Sequence, residues 1–216
     1  MEKLVVVGAG GLGKEVICLI INDYNSLGEF DVLGFIDKDC SLIGSIINGF
    51  PVLGDDTWLL QSKEEINVVI AIGSGKIRKN VYESLSTNKM LKYPSIFAKN
   101  TVLLEPVKFG QGCITLPSCV FSPDVSIGDF TIINPGCTIA HDTRINRFVT
   151  VSPGVNIAGN VSIEEHTSIG IGACVIQGIR IGINTIIGAG ATVIDDIPDN
   201  CTAVGVPAKP IKFNSI

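Results

Sequence analysis

Apolar residues return at every sixth position between Ser95 and about Asp196, without a single insertion. The third residue of each of the seventeen hexads, from Phe97 to Val193, is apolar except Thr115. The first residue is small or β-branched, and the fourth is Gly, Ala, Ser or Asn in twelve hexads. A period of six suits neither an amphipathic helix nor a long alternating strand. The pattern therefore predicts a solenoid of short strands and tight turns.

Each hexad should form one short side, with its third residue inward and its small fourth residue at the corner. Three hexads then make one coil, and residues eighteen apart stack at about 4.8 Å. This register places Ile127 between Phe109 and Ile145. Outward positions also carry apolar residues, namely Ile114, Val120, Ile132 and Ile183. These stripes need a partner to cover them, so we expect a symmetric homotrimer with active sites at subunit boundaries.

The first 92 residues show a different pattern, in which strands alternate with helices. Strands are predicted at Leu4–Val7, Val32–Ile36 and Val68–Ile72. The loop Gly8–Gly13 precedes a first helix, and Gly73–Asn80 opens a second. A helix after the glycine loop should bury Val16, Leu19 and Ile20, and Thr57 should cap a short helix. We therefore predict a Rossmann-like α/β domain with three or four parallel strands at 1–92, and an all-β repeat domain at 93–216.

The loop GAGGLG follows the first strand and opens a helix, where backbone N–H groups can approach a phosphate. Asp37 follows the second strand at about the distance of a ribose-binding acid. The domain has only one βαβαβ half, so a mononucleotide-sized ligand fits better than NAD. The alternative interpretation is that GAGGLG is a glycine turn that only packs the helix on the strand and binds no phosphate.

Composition and charge argue against several classes of protein. The net charge of −5 and a pI of about 5.0 argue against a nucleic-acid surface. No apolar run approaches the roughly eighteen residues of a membrane span, and no signal peptide is evident, so we expect a cytoplasmic protein. Of seven cysteines, Cys113, Cys119 and Cys137 occupy first positions of hexads. They are interpreted as small packing residues, and no CxxC spacing indicates a metal.

Two histidines are the candidate bases. His141 is the fifth residue of CTIAHD, an outward turn position, and Asp142 lies beside it. A neutral imidazole next to a carboxylate is suited to general base catalysis on an amine or hydroxyl. Gly159 should stack one coil beyond His141 and leave space there. His166 lies in SIEEHT and is interpreted as a surface residue.

The joint presence of GAGGLG, GFID, AIGSGKIR, the hexads, INPGCTIAHD and the ending AVGVPAKPIK is similar to one family across essentially the whole chain. It resembles the bacterial sialic-acid O-acetyltransferases and nucleotide-sugar N-acetyltransferases among the hexapeptide-repeat acyltransferases. The resemblance implies a left-handed parallel β-helix, a homotrimer and transfer from acetyl-CoA to a sugar. The acceptor is often the 4-amino group of a UDP- or GDP-linked amino-deoxy sugar for surface glycans, and no metal is required.

The resemblance also implies roles for individual residues. His141 becomes the general base, Asp142 its polarising neighbour, and Asn134 a residue that orients the acceptor or the base. The nucleotide would be held by Gly10, Gly11, Asp37, Lys38, Gly73 and Ser74. Acetyl-CoA would lie in a groove between neighbouring β-helices, lined by Thr150, Ala158, Gly159, Ile171 and Ala189. The N–H of Gly159 is the expected donor to the thioester oxyanion.

Two positions depart from the family pattern: Leu12 stands where many relatives have a histidine that touches the sugar nucleotide, and Thr150 where some have a second histidine. The nucleotide, the sugar and the choice of amine or hydroxyl therefore stay open. Alternatives are a sialic-acid O-acetyltransferase and a non-catalytic nucleotide-sugar-binding trimer. A zinc-dependent γ-class carbonic anhydrase would need three histidines, and an NAD-linked oxidoreductase would leave the hexads unexplained.

Overall fold

The computed structural model describes residues 1–24 and 28–213. They form two compact units, one of Met1–Gly73 and Ile77–Ile96, the other of Ser74–Lys76 and Phe97–Ile216. We refer to them as the α/β unit and the repeat unit. Among the described residues no helix is long and apolar enough to cross a membrane.

The α/β unit is built on one six-stranded sheet. Its strands are β1 (Glu2–Val7), β2 (Phe30–Ile36), β3 (Ile46–Ile47), β4 (Phe50–Gly54), β5 (Ile66–Ile70) and β6 (Leu91–Lys92), in the order β3-β4-β2-β1-β5-β6. The helices among the described residues are α1 (Gly11–Asp23), α2 (Asp56–Leu60) and α3 (Gly75–Leu85), with a short 3-10 helix at Cys40–Leu42. β3 pairs antiparallel to β4, whereas β4, β2, β1, β5 and β6 are parallel. The prediction of three or four parallel strands was therefore too low, because Pro51 interrupts β4 and β6 has only two residues.

The buried face of α1 is as predicted, whereas the N-cap of α2 differs from the prediction. Val16, Leu19 and Ile20 are buried on α1 as expected. The cap of α2 is Asp55, whose carboxylate accepts from the N–H of Thr57, so the prediction of Thr57 as the cap was wrong by two residues. Aspartate and threonine are both good caps, and sequence alone does not separate them here.

The repeat unit is a parallel β-helix with three faces. The first face contains β7 (Ile96–Phe97), β10 (Ile114–Thr115), β13 (Ile132–Ile133), β16 (Thr150–Val151), β19 (Ser168–Ile169), β22 (Ile186–Ile187), β24 (Cys201–Val204) and β25 (Lys209–Phe213). The second contains β8 (Val102–Leu103), β11 (Val120–Phe121), β14 (Thr138–Ile139), β17 (Asn156–Ile157), β20 (Cys174–Val175) and β23 (Thr192–Val193). The third contains β9 (Val107–Phe109), β12 (Val125–Ile127), β15 (Arg144–Ile145), β18 (Ser162–Ile163) and β21 (Arg180–Ile181). β24 and β25 close the first face as an antiparallel pair.

The coil of eighteen residues is confirmed by the strand register. Ile127 pairs with Phe109 on one side and with Ile145 on the other. Third positions are buried throughout the central coils, and first positions such as Val149 and Val155 are buried as well. Thr115, the polar exception, is fully buried, and its hydroxyl has no hydrogen-bond partner among the described residues. The interior is thus packed by two residues per hexad.

The turns depend on the sixth residue of each hexad, which corrects the expectation that the fourth residue turns the chain. Every sixth position from Gly112 to Gly190 has a positive φ. The fourth residue is small for another reason, because a Cβ on Gly128 would lie 2.5 Å from the N of Arg147 on the next coil. Close approach between coils therefore selects the fourth residue, and the left-handed backbone selects the sixth.

Three of these left-handed positions carry rings. Phe130, Phe148 and His166 stand eighteen apart and stack with centroids 5.4 and 5.5 Å from each other. The side chain of His166 is only 17% exposed. The interpretation of His166 as a surface residue is therefore wrong, because column stacking partly buries it.

The cysteines at first positions are buried with free thiols. The Sγ atoms of Cys113, Cys119 and Cys137 each lie 3.2 Å from a backbone carbonyl oxygen of the next coil. The hydrogen bond with the thiol of Cys119 raises the pKa of Cys137 above its ordinary value, and burial raises it further. These contacts are those of small packing residues.

Candidate active site

His141 lies in the turn that connects β14 on the second face to β15 on the third. Its place in the hexad is the fifth, which points away from the packed interior, and its side chain is 56% exposed. Asp142 follows at the sixth position with a φ of 59°. The repeat therefore presents both side chains at one corner, as the sequence predicted.

The imidazole and the carboxylate are in direct contact. Nδ1 of His141 lies 2.8 Å from Oδ2 of Asp142. A carboxylate in this position favours the tautomer with hydrogen on Nδ1, which leaves the lone pair of Nε2 to accept a proton. The pair is thus arranged as a general base with its orienting acid.

Gly159 lies one coil beyond His141, and the imidazole occupies the space of its missing side chain. A Cβ on Gly159 would lie 2.6 Å from Nε2 and from Cε1 of His141. The N–H of Asn160 donates to the carbonyl oxygen of His141 at 2.8 Å, which fixes the two coils together. Only glycine at this position leaves the ring where it is.

The backbone N–H of the fifth residue of a hexad takes no part in the backbone hydrogen bonds that join successive coils. Pro117, Pro123, Pro135 and Pro153 occupy this position in four hexads, and proline has no N–H to donate. Among the residues that the structure describes, the N–H of Gly159 makes no hydrogen bond. An unused backbone donor therefore sits directly beside the imidazole.

An open groove surrounds the pair, with a volume of about 730 Å³. It is lined by Asp124, His141, Asp142, Arg144, Asn160, Val161, Ser162 and Gln177. Sequence reasoning missed most of these residues. The eighteen-residue register contains the signal, because Asp124 and Asn160 share the column of Asp142, and Gln177 shares the column of His141 and Gly159.

Other predicted residues lie elsewhere on the same copy. Ala158 adjoins Gly159, but Ile171 and Ala189 stand at the corner between the first and second faces, and Thr150 lies on the first face. Ile171 is 57% exposed. Within one copy the structure does not bring these three residues to His141.

Asn134 lies at the corner between the first and second faces. Its Nδ2 donates to the carbonyl oxygen of Val151 at 2.8 Å, so this amide helps to join two coils. It is not among the residues of the groove at His141. The expected role in orienting the base is therefore not supported by its position in one copy.

A second pocket lies in the α/β unit, with a volume of about 190 Å³. It is lined by Val7, Gly8, Asp37, Lys38, Asp56, Ile72, Ile77 and Val81. The carboxyl ends of β1, β2 and β5 meet here, which is where open α/β sheets bind ligands. Asp37 and Lys38 were predicted from the sequence, whereas Asp56 and the apolar walls were not.

The glycine loop beside this pocket contains glycines of two kinds. A Cβ on Gly13 would lie 1.8 Å from the carbonyl oxygen of Gly8, so helix packing requires this glycine. Gly10, Gly11 and Gly73 have nothing within 4 Å of a Cβ, so packing does not require them. The space beside each of these Cα atoms is therefore unfilled among the described residues.

Two polar contacts hold the loops around the pocket. Oδ2 of Asp37 accepts from the N–H of Ala9 at 2.8 Å, which ties the glycine loop to β2. The buried guanidinium of Arg78 donates to the carbonyl oxygens of Ile72 and Gly73. Arg78 was missed from the sequence, because an arginine in IRKN has no distinguishing pattern. Ser74 follows this segment and does not line the pocket.

No cluster of three or more His, Cys, Asp or Glu suited to a metal ion occurs among residues 1–24 and 28–213. The family model described as the PglD N-terminal domain matches residues 3–85. A comparison with curated protein sequences returns no match.

Solved structures are similar over almost the whole chain. The acetyltransferase domain of PglB from Neisseria gonorrhoeae FA1090 is 33% identical, with 98% of this chain and 100% of that chain covered and a TM-score of 0.88. PerB from Caulobacter crescentus, solved with CoA and GDP-perosamine, is 31% identical, with 98% of both chains covered and a TM-score of 0.87. WeeI from Acinetobacter baumannii AYE is 31% identical, with 98% and 100% covered and a TM-score of 0.88. The chain therefore belongs to the hexapeptide-repeat family of nucleotide-sugar N-acetyltransferases, which combine an N-terminal α/β domain with a left-handed parallel β-helix.

Proposed function

We propose that this acetyltransferase moves the acetyl group of acetyl-CoA to the 4-amino group of a nucleotide-linked amino-deoxy sugar used for surface glycans. Two relatives support this choice of substrates. The PglB domain was solved with acetyl coenzyme A, and PerB with CoA and GDP-perosamine. Both relatives match nearly the whole chain.

One observation carries the mechanism: the imidazole of His141 lies against Gly159, whose N–H makes no hydrogen bond among the described residues. A base and an oxyanion donor are thereby placed side by side. Acyl transfer needs both, because a proton leaves the nucleophile while negative charge develops on the carbonyl oxygen.

The reaction is a direct transfer. Nε2 of His141 takes a proton from the amine as the nitrogen attacks the thioester carbon. The N–H of Gly159 donates to the oxyanion of the tetrahedral intermediate. The C–S bond then breaks, and the CoA thiolate leaves and takes up the proton from the imidazolium. Asp142 holds the ring through Nδ1 and stabilises its positive charge, and no acyl-enzyme forms.

Acetyl-CoA is proposed to lie between neighbouring copies of the repeat unit in a homotrimer. Ala158 and Gly159 stand at the corner of His141, while Thr150, Ile171 and Ala189 stand on or beside the first face. One copy cannot bring the two sets together, whereas two copies related by a threefold axis can. Asn134, also at the corner beside the first face, would then act toward the active site of a neighbouring copy.

The nucleotide is proposed to bind at 1–92 and the acetyl group to be transferred at 93–216. Gly10, Gly11, Gly73 and Ser74 are proposed to contact the phosphates, and Asp37 and Lys38 border the pocket. We place the enzyme in the cytoplasm, where acetyl-CoA and nucleotide sugars are substrates. Sialic-acid O-acetylation is the alternative, since the same base can deprotonate a hydroxyl.

A thiol-release assay tests the proposal. Purified protein is given acetyl-CoA with UDP- and GDP-linked 4-amino sugars, CMP-sialic acid and free sialic acid. Turnover with an amino sugar is expected. Turnover only with a sialic acid would place the enzyme in the O-acetyl branch, and nucleotide-sugar binding without any turnover would favour a binding protein.

His141→Ala should lower kcat by roughly 10²–10⁴ and leave the melting temperature unchanged, because the side chain points outward. His166→Asn is the matched control, since Asn184 occupies the equivalent sixth position one coil further with a φ of 53°. A His141→Ala enzyme within about threefold of the parent would remove His141 from the mechanism.

A further inference from the structure

The pocket of the α/β unit has aliphatic walls and few polar groups. Its apolar lining consists of Val7, Ile72, Ile77 and Val81. Lys38 and two carboxylates, those of Asp37 and Asp56, are the charged groups. Aliphatic walls with a few polar groups at the edge suit a flat heterocycle better than a sugar or a phosphate.

The two carboxylates of the pocket differ in what they are free to do. Asp37 accepts from the N–H of Ala9 through one oxygen and from the N–H of Asp39 through the other, at 2.8 and 3.0 Å. The carboxylate of Asp56 makes no hydrogen bond or ion pair among residues 1–24 and 28–213. Both oxygens of Asp37 are already engaged in holding the loop, whereas both oxygens of Asp56 are available to a donor from a ligand.

The environment of Asp56 also favours a ligand donor. Burial raises the pKa of Asp56 above its ordinary value, and the charges of Asp55 and Asp37 raise it further. A carboxylate without a donor in such a place is destabilised. An N–H group from a ligand would relieve this cost by hydrogen bonding to the charged form.

We propose that Asp56 accepts the ring N–H of a uracil or guanine base bound between the aliphatic walls of this pocket, and that the enzyme thereby selects its nucleotide. This inference rests on the proposed function, because it assigns the base of the nucleotide sugar. Uracil and guanine share an N–H next to a carbonyl group. Lys38 lies in the same pocket and can donate to that carbonyl oxygen.

Cytosine and adenine present the opposite pattern. The corresponding ring nitrogen carries a lone pair, and the neighbouring group is an amine. A carboxylate facing that lone pair is repelled, and it gains a donor only if the base shifts to present its exocyclic amine, so Asp56 favours uracil and guanine over cytosine and adenine. CMP-linked sugars are thereby disfavoured relative to UDP- and GDP-linked sugars.

Calorimetric titration of the full chain with UDP, GDP, CDP and ADP tests this selectivity. At least one of UDP and GDP should bind about tenfold or more tightly than both CDP and ADP, as expected for a hydrogen bond to a charged group. The separate UDP and GDP titrations identify which base the pocket holds. Equal binding of all four nucleotides, or no binding of any, would overturn the inference.

Asp56→Asn supplies the second test. Its amide can either accept or donate, so the preference over CDP should fall to within about threefold. Asp31→Asn is the matched control, since it removes the same charge from an exposed position in β2, outside the residues that line the pocket. A preference kept by Asp56→Asn, or an equal loss of affinity for all four nucleotides, would show that Asp56 does not select the base.

These titrations are independent of acetyl transfer. If a UDP- or GDP-linked amino sugar is acetylated but the nucleotides show no such preference, the inference fails and the proposed function stands. If the preference is present but no amino sugar is acetylated, the pocket is assigned correctly and the proposed function fails.

Discussion

The groove at His141 and the pocket at Asp56 belong to one enzyme and are built in different ways. The groove lies on a repeat, where each position has a fixed direction and a fixed neighbour eighteen residues away. The pocket lies at strand ends, where each loop has its own conformation. In the repeat, a residue that the repeat pattern does not explain can therefore be identified as a candidate functional residue. In the pocket, packing and binding use the same short segment.

The glycines make this difference concrete. Gly159 is needed because His141 occupies the space of its side chain, which is a functional reason. Gly13 is needed because the carbonyl oxygen of Gly8 lies there, which is a packing reason. A glycine motif near a ligand site is thus weak evidence for binding until each glycine has been examined for its contacts.

The largest expected effect separates the two kinds of glycine inside one loop. Gly13→Ala should lower the free energy of unfolding by about 3 kcal/mol or more, because backbone atoms cannot move away from the new Cβ. Gly10→Ala should leave it within about 0.5 kcal/mol, because the position is open. Chemical denaturation of the full chain measures both. Equal stabilities would show that the loop adapts and that Gly13 has no special packing role.

Only part of the α/β unit could be predicted from the sequence. Glycine spacing and apolar runs predicted β1, α1 and β2, together with Asp37 at the end of β2. They did not predict β4, whose segment contains Pro51 and ends at Gly54, or Asp56. Asp56 enters the pocket only because β4 pairs with β2, and that pairing is a long-range property of the sheet.

In the repeat unit, sequence predicted more, for a physical reason. One period fixes both which residues are buried and which residues touch, so His141, Asp142 and Gly159 could be assembled from their numbers alone. It did not predict the stacking of His166 on Phe148, because a histidine at a sixth position usually faces solvent. It also did not identify the left-handed residue, since glycine is frequent at both the fourth and the sixth positions.

A methyl group at Gly159 tests whether the register matters for catalysis. Gly159→Ala should displace the imidazole and lower kcat by roughly 10²-fold, at the lower end of the loss of a general base. The melting temperature should change little, because a side chain and not the backbone moves. Combined with His141→Ala, the added methyl group should cost almost nothing further. Additive losses would mean that Gly159 acts without His141.

A smaller effect is expected from the carboxylate beside the base. Asp142→Asn should lower kcat about tenfold, the lower end for a hydrogen bond to a charged group, because both side chains are more than half exposed. Asp124→Asn removes the same charge from the groove without touching His141, and its effect should stay below about threefold. Similar losses in the two variants would indicate a general field in the groove and not a contact.

The smallest effect concerns stability in the pocket. Because the pKa of Asp56 in the folded protein lies above its ordinary value of 3.8, the folded state holds this proton more tightly than the unfolded state. Its contribution to stability is present below pH 3.8 and is lost as the pH rises through the raised pKa. Asp56→Asn should therefore be slightly more stable than the parent at pH 7, and this difference should shrink toward pH 4.

Urea denaturation at pH 4 to 7 measures this difference, with Asp31→Asn as the control for removal of a charge. A saturating concentration of the preferred nucleoside diphosphate should reverse it at pH 7, because the base then donates to Asp56 in the parent and binds the variant less tightly. If the variant keeps its advantage in the presence of the nucleotide, the ligand does not reach Asp56. Asp56 would then be a charged residue of the pocket that nucleotide binding does not use, just as Asp124 is a charged residue of the groove that is expected to have little effect on kcat.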